Sequence, residues 1–431
     1  MSGGPESPLL VEQFPPLSEH EALVEANRCV YCFDAPCTHA CPTHIDIPAF
    51  IKKIATANLT GSARTILESN LMGATCARVC PVQELCEGAC VLNSEHKPIM
   101  IGRLQRYAMD YFYANRPNLL AIARETGRRI AVIGAGPAGL SCAGELTRRG
   151  HAVTVFEKRD LSGGLSTYGI ITLREPVPVA LAEAEMIAGM GVKIVQGMEA
   201  GSNPTPAELL KQFDAVFVAV GLGTSPSLGI PGEELVIDGL NYIETSKLSP
   251  ACLPRANTVV VIGAGNTAVD CATIARRNGA PRVTMVYRRT EREMTAYDHE
   301  YRFVKNEGVA FEFLTQPVSR NLGTLECVRT ELADPDTSGR PAPRTVSGSN
   351  FMLPADVVIK AIGQEKPSIA ALFGLETERG FIKVDSSMRT KVPRIYAGGD
   401  CVRAKGAAST VMAAQDGKIA AAAIHAEVTH G

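Results

Sequence analysis

The chain has 431 residues, 45% of them hydrophobic, and its 43 Lys and Arg against 45 Asp and Glu leave a formal net charge of −2. At about 150 residues per domain, that length allows two or three domains with sizeable cores. A near-neutral balance speaks against nucleic acid or a membrane surface as the main partner.

The opening segment MSGGPESPLL lacks a basic region followed by an apolar run, so no signal peptide is expected. No apolar run reaches about 18 residues, so no transmembrane helix is expected either. The expectation is a soluble, cytoplasmic protein. In that reducing compartment, dense cysteine means metal binding or catalysis more often than disulfides. Eight of the thirteen cysteines precede residue 91. Cys142, Cys252, Cys271, Cys327 and Cys401 are scattered singly and read as small core residues.

Ser18 and Glu21 form a capping-box pattern that opens a helix through Asn27. The segment RCVYCFDAPCTHACP follows and places Cys29, Cys32, Cys37 and Cys41 within thirteen residues. IPAFIKKIATANLTGSARTILESN then predicts two short amphipathic helices, divided at Gly61. A second cysteine group, CARVCPVQELCEGAC, holds Cys76, Cys80, Cys86 and Cys90. In each group a proline directly follows a cysteine, at Pro42 and Pro81. Compact runs ending in Cys-Pro are similar to those of bacterial iron–sulfur ferredoxins, although the spacing differs. Zinc is the alternative, but zinc ribbons favour two separated C-x2-C pairs, and this segment has one, at Cys29 and Cys32. IGRLQRYAMDYFYANR predicts a longer helix. The first 126 residues thus read as an all-helical domain with metal in its loops, stabilised by clusters that bind only the folded state.

RRIAVIGAGPAGLSCAGELTRRGHAVTVFEK is a strand–turn–helix–strand unit. Gly134 permits its tight turn, Gly136 lets the backbone approach a pyrophosphate, and Gly139 lets the helix pack on the strand. Ala138 lies between them, at the helix N-terminus that faces phosphates. Glu157, with Lys158 beside it, ends the second strand where an acid can bind a ribose hydroxyl. TVVVIGAGNTAVDCATIARRNGAPRVTMVYRRT repeats the unit. Its turn carries Gly263, Gly265, Asn266, Thr267 and Ala268, the alanine variant of the fingerprint. Tyr287, Arg288 and Arg289 replace the acid, and arginine there can hold a 2′-phosphate. FDAVFVAVG before this insert and ADVVIKAIG after it, ending at Gly363, are matching strand–glycine crossings. In the tail a strand ends at Ala397-Gly398-Gly399-Asp400, and a helix begins near Ser409 and Thr410. The expected fold class is α/β. A helical domain (1–126) precedes the first part of one Rossmann-like domain (127–225), a second Rossmann-like domain inserted into it (226–363), and the remainder of the first (364–431).

These residues resemble known families. Cys29, Cys32, Cys37, Cys41-Pro42, RVCPVQELCEGAC and GRLQRYA resemble the N-terminal domain of dihydropyrimidine dehydrogenases. They are also similar to the small subunits of glutamate synthase and related NAD(P)H-dependent reductases. The resemblance implies two interleaved 4Fe–4S clusters. Cys29, Cys32, Cys37 and Cys90 would hold one, and Cys41, Cys80, Cys86 and Gln105 the other, leaving Cys76 without iron. The paired Rossmann units with their tail resemble two-dinucleotide-binding flavoproteins, over residues 130 to 425. That implies FAD on the first unit and tail, and NADH or NADPH on the insert. Gly163, Gly164, Leu165 and Arg174 match flavin-contacting positions. Asp400 would contact the ribityl or pyrophosphate part, and Thr410 would open a helix toward the isoalloxazine. Relatives that reduce disulfides need a cysteine pair beside the flavin, whereas Cys142 stands alone.

No candidate site for an organic substrate is visible, so the acceptor is expected on another chain or as a small carrier, and the chain reads as an electron-input subunit. GRLQRYA and MTAYDHEYRF are most similar to the small subunit of bacterial NAD-dependent dihydropyrimidine dehydrogenases. This implies a partner subunit with FMN and further iron–sulfur clusters that reduces uracil or thymine. A glutamate synthase small subunit, a related NAD(P)H:ferredoxin-type oxidoreductase and a non-catalytic scaffolding subunit are the alternatives. The resemblance implies NADH, against the hint of NADPH in Arg288 and Arg289.

Overall fold

The computed structural model describes residues 8–9, 11–94, 96–335, 339–403 and 409–430. The opening segment expected to lack a leader lies mostly outside them. The N-terminal part is helical: α1 (Glu19–Asn27), α2 (Pro36–Ala40), α3 (Ile47–Ala55), α4 (Leu59–Ser69), α5 (Gly73–Val79) and α6 (Ile101–Asn115). The expected capping box opens α1, with the Ser18 and Glu21 side chains each accepting the other's backbone N–H. The predicted division at Gly61 is displaced. Ala57 turns into the left-handed region (φ 56°), and Asn58 caps α4 by accepting the Gly61 N–H at 2.9 Å. Gly61 lies inside α4, and a Cβ there would sit 2.6 Å from the Asn58 amide. The glycine makes room for the cap rather than ending a helix.

The first Rossmann unit runs β1 (Arg129–Ile133), α7 (Pro137–Arg148), β2 (Ala152–Phe156), α8 (Leu165–Tyr168), α9 (Val177–Gly189), β3 (Lys193–Val195), α10 (Pro206–Gln212) and β4 (Ala215–Val218). The insert follows with β5 (Val236–Asp238), α11 (Gly239–Leu248), β6 (Thr258–Ile262), α12 (Asn266–Arg277), β7 (Arg282–Val286), α13 (Asp298–Asn306), β8 (Ala310–Glu312), β9 (Thr315–Asn321), β10 (Thr324–Pro335), β11 (Pro341–Thr345), β12 (Phe351–Pro354) and β13 (Val357–Lys360). The tail holds α14 (Ile369–Leu372), β14 (Thr377–Glu378), β15 (Phe381–Ile382), β16 (Ile395–Ala397) and α15 (Thr410–His430).

Two parallel sheets result, in the orders β16-β4-β1-β2-β3 and β5-β13-β6-β7-β8. Strand β16 pairs with β4, so the tail completes the first sheet after the insert. Every residue of β4 and β6 is buried, which accounts for their unbroken apolar sequences. Strands β9 to β12 form an antiparallel sheet that the sequence analysis does not anticipate.

The chain divides into two compact units. One comprises Tyr168–Pro176 and Gly223–Glu365 with the described part of the first twelve residues; its core joins Val259, Val261, Ala272, Met285 and Ile359. The other holds the helical module, the first Rossmann sheet and α15. Within this second unit Met72 and Cys76 of the module share a core with Val132, Leu140, Tyr396 and Ala420. Helices α7 and α15 approach closely: a Cβ on Gly417 would lie 2.3 Å from the Ala138 carbonyl oxygen.

Candidate functional site

Two cavities in the helical module collect the cysteines. The first is bordered by Cys29, Cys32, Cys37 and Cys90, with apolar side chains filling the rest of its wall. The second is bordered by Cys41, Cys76, Cys80 and Cys86, together with Gln105, Asn70 and Val411. Ile47 borders both. The local fold explains the sorting. Cys37 lies on the short α2 and Cys41 caps its C-terminus in extended backbone, and the two border different cavities. Cys80 likewise ends α5. Sequence neighbours thereby fall into different cavities, and Cys90 joins the set that begins sixty residues earlier. Among the described residues no three His, Cys, Asp or Glu side chains converge as a single-ion site would require. The thiols border two cavities, four to each.

Burial pushes the Cys37 thiol up to about 11 and raises Cys29 and Cys86. Cys80 rises through its hydrogen bond with Cys76 and through burial. Metal binding at these thiols therefore displaces protons. Gln105, 8% exposed, donates its Nε2 to the Gly73 carbonyl at 2.7 Å. That orients the amide and leaves Oε1 as the atom of this side chain with lone pairs to offer a ligand. Cys76 borders the same cavity, a fourth thiol beside Cys41, Cys80 and Cys86 that spacing alone does not separate from the others.

Two polar contacts that sequence reasoning missed tie this module to the Rossmann core of the same unit. Glu183 of α9, fully buried, accepts the backbone N–H groups of Ala74 (2.7 Å) and Thr75 (3.1 Å) and the Thr75 hydroxyl. Lys418 of α15 donates to the carbonyls of Ser69 (2.9 Å) and Thr43 (3.2 Å). Neither has a sequence signature, because their partners lie more than a hundred residues away.

The first glycine fingerprint has the geometry of a pyrophosphate cradle. Gly134 has φ 100°, and a Cβ on it would lie 2.5 Å from the Ala219 carbonyl oxygen; one on Gly139 would lie 1.9 Å from that of Gly134. Gly136 and Gly164 face each other at the start of α7, and nothing comes nearer than 3.9 Å to a Cβ position on Gly136. Backbone N–H groups at that helix terminus suit an anion. Ala138 is buried behind them. Glu157 is buried, and its oxygens accept the Ala135 N–H at 2.7 Å and the Arg159 N–H at 2.9 Å, while Lys158 is exposed. Leu165 opens α8 and is exposed. Gly399 donates its N–H to Asp416 at 2.9 Å, and Asp416 pairs with Arg403. Burial raises the carboxyls of Asp400 and Asp416. Thr410 begins α15, with Val411 buried next to it. Arg174 pairs with Asp270 and Glu300.

The insert's fingerprint is built alike. Gly263 has φ 134°, and a Cβ there would lie 2.2 Å from the Ala361 carbonyl oxygen. Asn266 Oδ1 accepts the Tyr297 N–H at 3.0 Å, and Thr295 comes within 3.2 Å of the Cβ position on Gly265. Thr267 and the buried Ala268 complete the first turn of α12, and Gly363 (φ 98°) follows β13. The two arginines after β7 part company. Arg288 is exposed, whereas Arg289 is 4% exposed and its Nε donates to the Pro341 carbonyl at 2.7 Å. Arg340, which the sequence analysis overlooks, donates to the Tyr287 hydroxyl at 2.7 Å. It lies in the bend just before β11, more than fifty residues along the chain.

The residues present therefore fit the groups the motifs imply: glycine cradles at two helix N-termini, and thiol-ringed cavities with an oriented amide. Residues 10–117 match the family described as dihydropyrimidine dehydrogenase domain II, 4Fe–4S cluster, and residues 128–417 match that of pyridine nucleotide-disulphide oxidoreductases. The putative oxidoreductase AegA of Escherichia coli (strain K12) is 36% identical over 441 residues, covering 96% of this chain and 66% of that protein. The NADPH glutamate synthase small chain of the same organism is 34% identical over 438 residues, 95% of this chain and 92% of that one. Its NAD-dependent dihydropyrimidine dehydrogenase subunit PreT is 34% identical over 423 residues, 98% of both. The chain thus spans about two thirds of the first relative and nearly all of the other two. In fold it is similar to Mycobacterium tuberculosis FprA in complex with NADPH, with a TM-score of 0.57 and 20% identity over 70% of this chain and 85% of that chain. Among the described residues no helix is long and apolar enough to cross a membrane. The chain belongs to the pyridine nucleotide-disulphide oxidoreductase family, in the form that carries a 4Fe–4S domain of the dihydropyrimidine dehydrogenase type ahead of its FAD- and NAD(P)-binding units.

Proposed function

We propose that this chain is the electron-input subunit of a dihydropyrimidine dehydrogenase. It would hold FAD, NADH or NADPH, and two 4Fe–4S clusters. Its partner would be a cytoplasmic chain carrying FMN and further clusters, on which uracil or thymine is reduced to the 5,6-dihydro form. When bound, the flavin accepts hydride from the nicotinamide and releases electrons singly, and the clusters carry them.

The observation that carries the reading is the alignment of cavities with α15. The second cavity is bordered by Val411, in the first turn of the helix that Thr410 opens, and Ile47 joins that cavity to the first. In this reading Cys29, Cys32, Cys37 and Cys90 ligate one cluster, and Cys41, Cys80, Cys86 and the Gln105 oxygen the other. Gly136 and Gly164 admit the FAD pyrophosphate to the N-terminus of α7. Asp416 holds the Gly399 turn in shape, so that Asp400 stays beside the flavin. Gly263, Gly265 and Asn266 shape the turn for the nicotinamide dinucleotide, and Arg288 stands where its ribose would end. Apolar side chains make up most of each cavity's wall apart from the cysteines. Support for the pyrimidine assignment comes from the six-residue step between Cys80 and Cys86, from Gln105, and from the likeness to PreT over 98% of both chains.

Anaerobic assay of the purified chain should find close to eight irons and one FAD. Co-purification with an FMN subunit and uracil-dependent NADH oxidation would support the acceptor. A complex that ignores uracil and thymine but turns over 2-oxoglutarate and glutamine would favour the second reading, a glutamate synthase small subunit, which the 34% identity to that chain supports. A purely scaffolding role requires that NAD(P)H fail to bleach the bound flavin.

A further inference from the structure

We propose that Asn70 donates an amide hydrogen bond to the cluster of the second cavity and thereby raises its reduction potential. The proposal rests on the reading that this cavity holds a cluster. Asn70 ends α4, is 2% exposed, and borders the cavity with Cys41, Cys80 and Cys86. Its orientation is determined by its own hydrogen bond: Oδ1 accepts the Met72 N–H at 2.9 Å, so Nδ2 is the other end of the amide. Nδ2 is shielded from solvent and has no acceptor among the described residues.

A buried N–H without an acceptor is rare in folded proteins, and where one occurs it points to a group the protein atoms do not include. In this cavity the available acceptors are sulfurs: the thiolates of the ligands and the sulfides of the cluster. Hydrogen bonds to these sulfurs offset the negative charge gained on reduction, which favours the reduced state. The loop cannot easily turn the amide away. Lys418 binds the carbonyl of Ser69, the residue before Asn70, and that of Thr43, two residues after Cys41. In the first cavity the wall side chains are cysteines and apolar residues, and the donors that reach its thiols are the backbone N–H groups of Tyr31 and Thr38. Among the lining side chains, the Asn70 amide has no counterpart there.

The test uses the whole chain, purified anaerobically, with iron and sulfide counted and each cluster's midpoint followed by electron paramagnetic resonance. Asn70→Asp keeps the acceptor for Met72 and removes the donor; Asn70→Leu removes both. In both variants eight irons should remain, and one signal should become roughly tenfold harder to reduce, about 59 mV for a one-electron couple. The other signal should not move. If both variants keep eight irons and neither signal shifts by as much as twofold in equilibrium constant, the proposal is wrong. Loss of four irons in both variants would also overturn it, by assigning Asn70 to the loop's shape alone. A parent chain with four irons and one signal would instead refute the occupancy of the second cavity, a result distinct from the other two.

Discussion

Replacing Glu183 with leucine tests whether the thiol-bearing module depends on the Rossmann core behind it. The carboxylate accepts two backbone N–H groups at the start of α5 and the hydroxyl of Thr75, with no solvent access. Leucine has similar volume, so packing is largely kept and the donors are left without an acceptor. Each buried donor so exposed costs about 1–3 kcal/mol. The hydroxyl can turn to a helix carbonyl, which leaves two N–H groups and the lost charge at a helix N-terminus, together about 3–5 kcal/mol. At roughly 2 °C per kcal/mol for a unit of this size, the apparent midpoint of thermal unfolding should fall by roughly 6–10 °C. Glu183→Gln is the control. Its Oε1 can still receive both N–H groups, so it should lose only about 1–2 kcal/mol. Circular dichroism melts with parallel iron analysis are the assay. Since α5 carries Cys76 and ends at Cys80, the leucine variant should also purify with less iron. A leucine variant that melts within about a degree of the parent, on the same scale, and retains its iron would refute the coupling.

Cys29→Ser and Cys41→Ser should each abolish a different paramagnetic signal; loss of the same signal would undo the interleaved assignment. Gln105→Ala should remove one cluster while Cys76→Ser leaves eight irons, and the reverse outcome would make Cys76 the fourth ligand of the second site. Arg288→Ala should lower kcat/KM for NADPH about tenfold, by loss of a phosphate contact, and leave NADH unchanged; equal effects on both donors would remove Arg288 from the nucleotide site. The His151 ring is engaged on both nitrogens, by Thr126 at 2.7 Å and His425 at 2.8 Å, and burial followed by His425 lowers its pKa from 6.5 to about 4. The folded state favours the neutral ring, so the unfolded chain binds more protons. This contribution to stability should be full above pH 6.5 and lost as pH falls toward about 4. In His151→Gln the thermal midpoint should fall less steeply over that window, and parallel profiles would count against the pair.

The Rossmann units were legible because their signals are local: a buried strand, a glycine turn and a helix start adjoin in sequence. The break at Gly61 was misread because a glycine inside a helix looks like a terminator unless the side chain of Asn58 is seen to need its space. The sheet of β9 to β12 escaped because its strands are half exposed and polar, so their alternation is weak. After β7 the sequence paired Arg288 with Arg289, while the fold buries Arg289 on a carbonyl and brings Arg340 from the bend before β11. Asn70, Glu183, Asp416 and Lys418 shared a common obstacle. For Glu183 and Lys418 the partners lie more than a hundred residues away, and for Asn70 and Asp416 the role depends on which turn or cavity wall the fold builds around them, so no periodicity or motif marks any of the four.

The reach of α15 has a consequence for biosynthesis. The thiols of the second cavity are translated early, yet Val411 closes its wall, and Lys418 grips Ser69 from 349 positions later. At about 5–20 residues per second, the ribosome takes roughly 20–70 s to cover that interval. For that time the cysteines stand in a half-built basin, open to oxidants and to the wrong metal. If a cluster is loaded there, the wall that receives it is complete only once α15 has emerged.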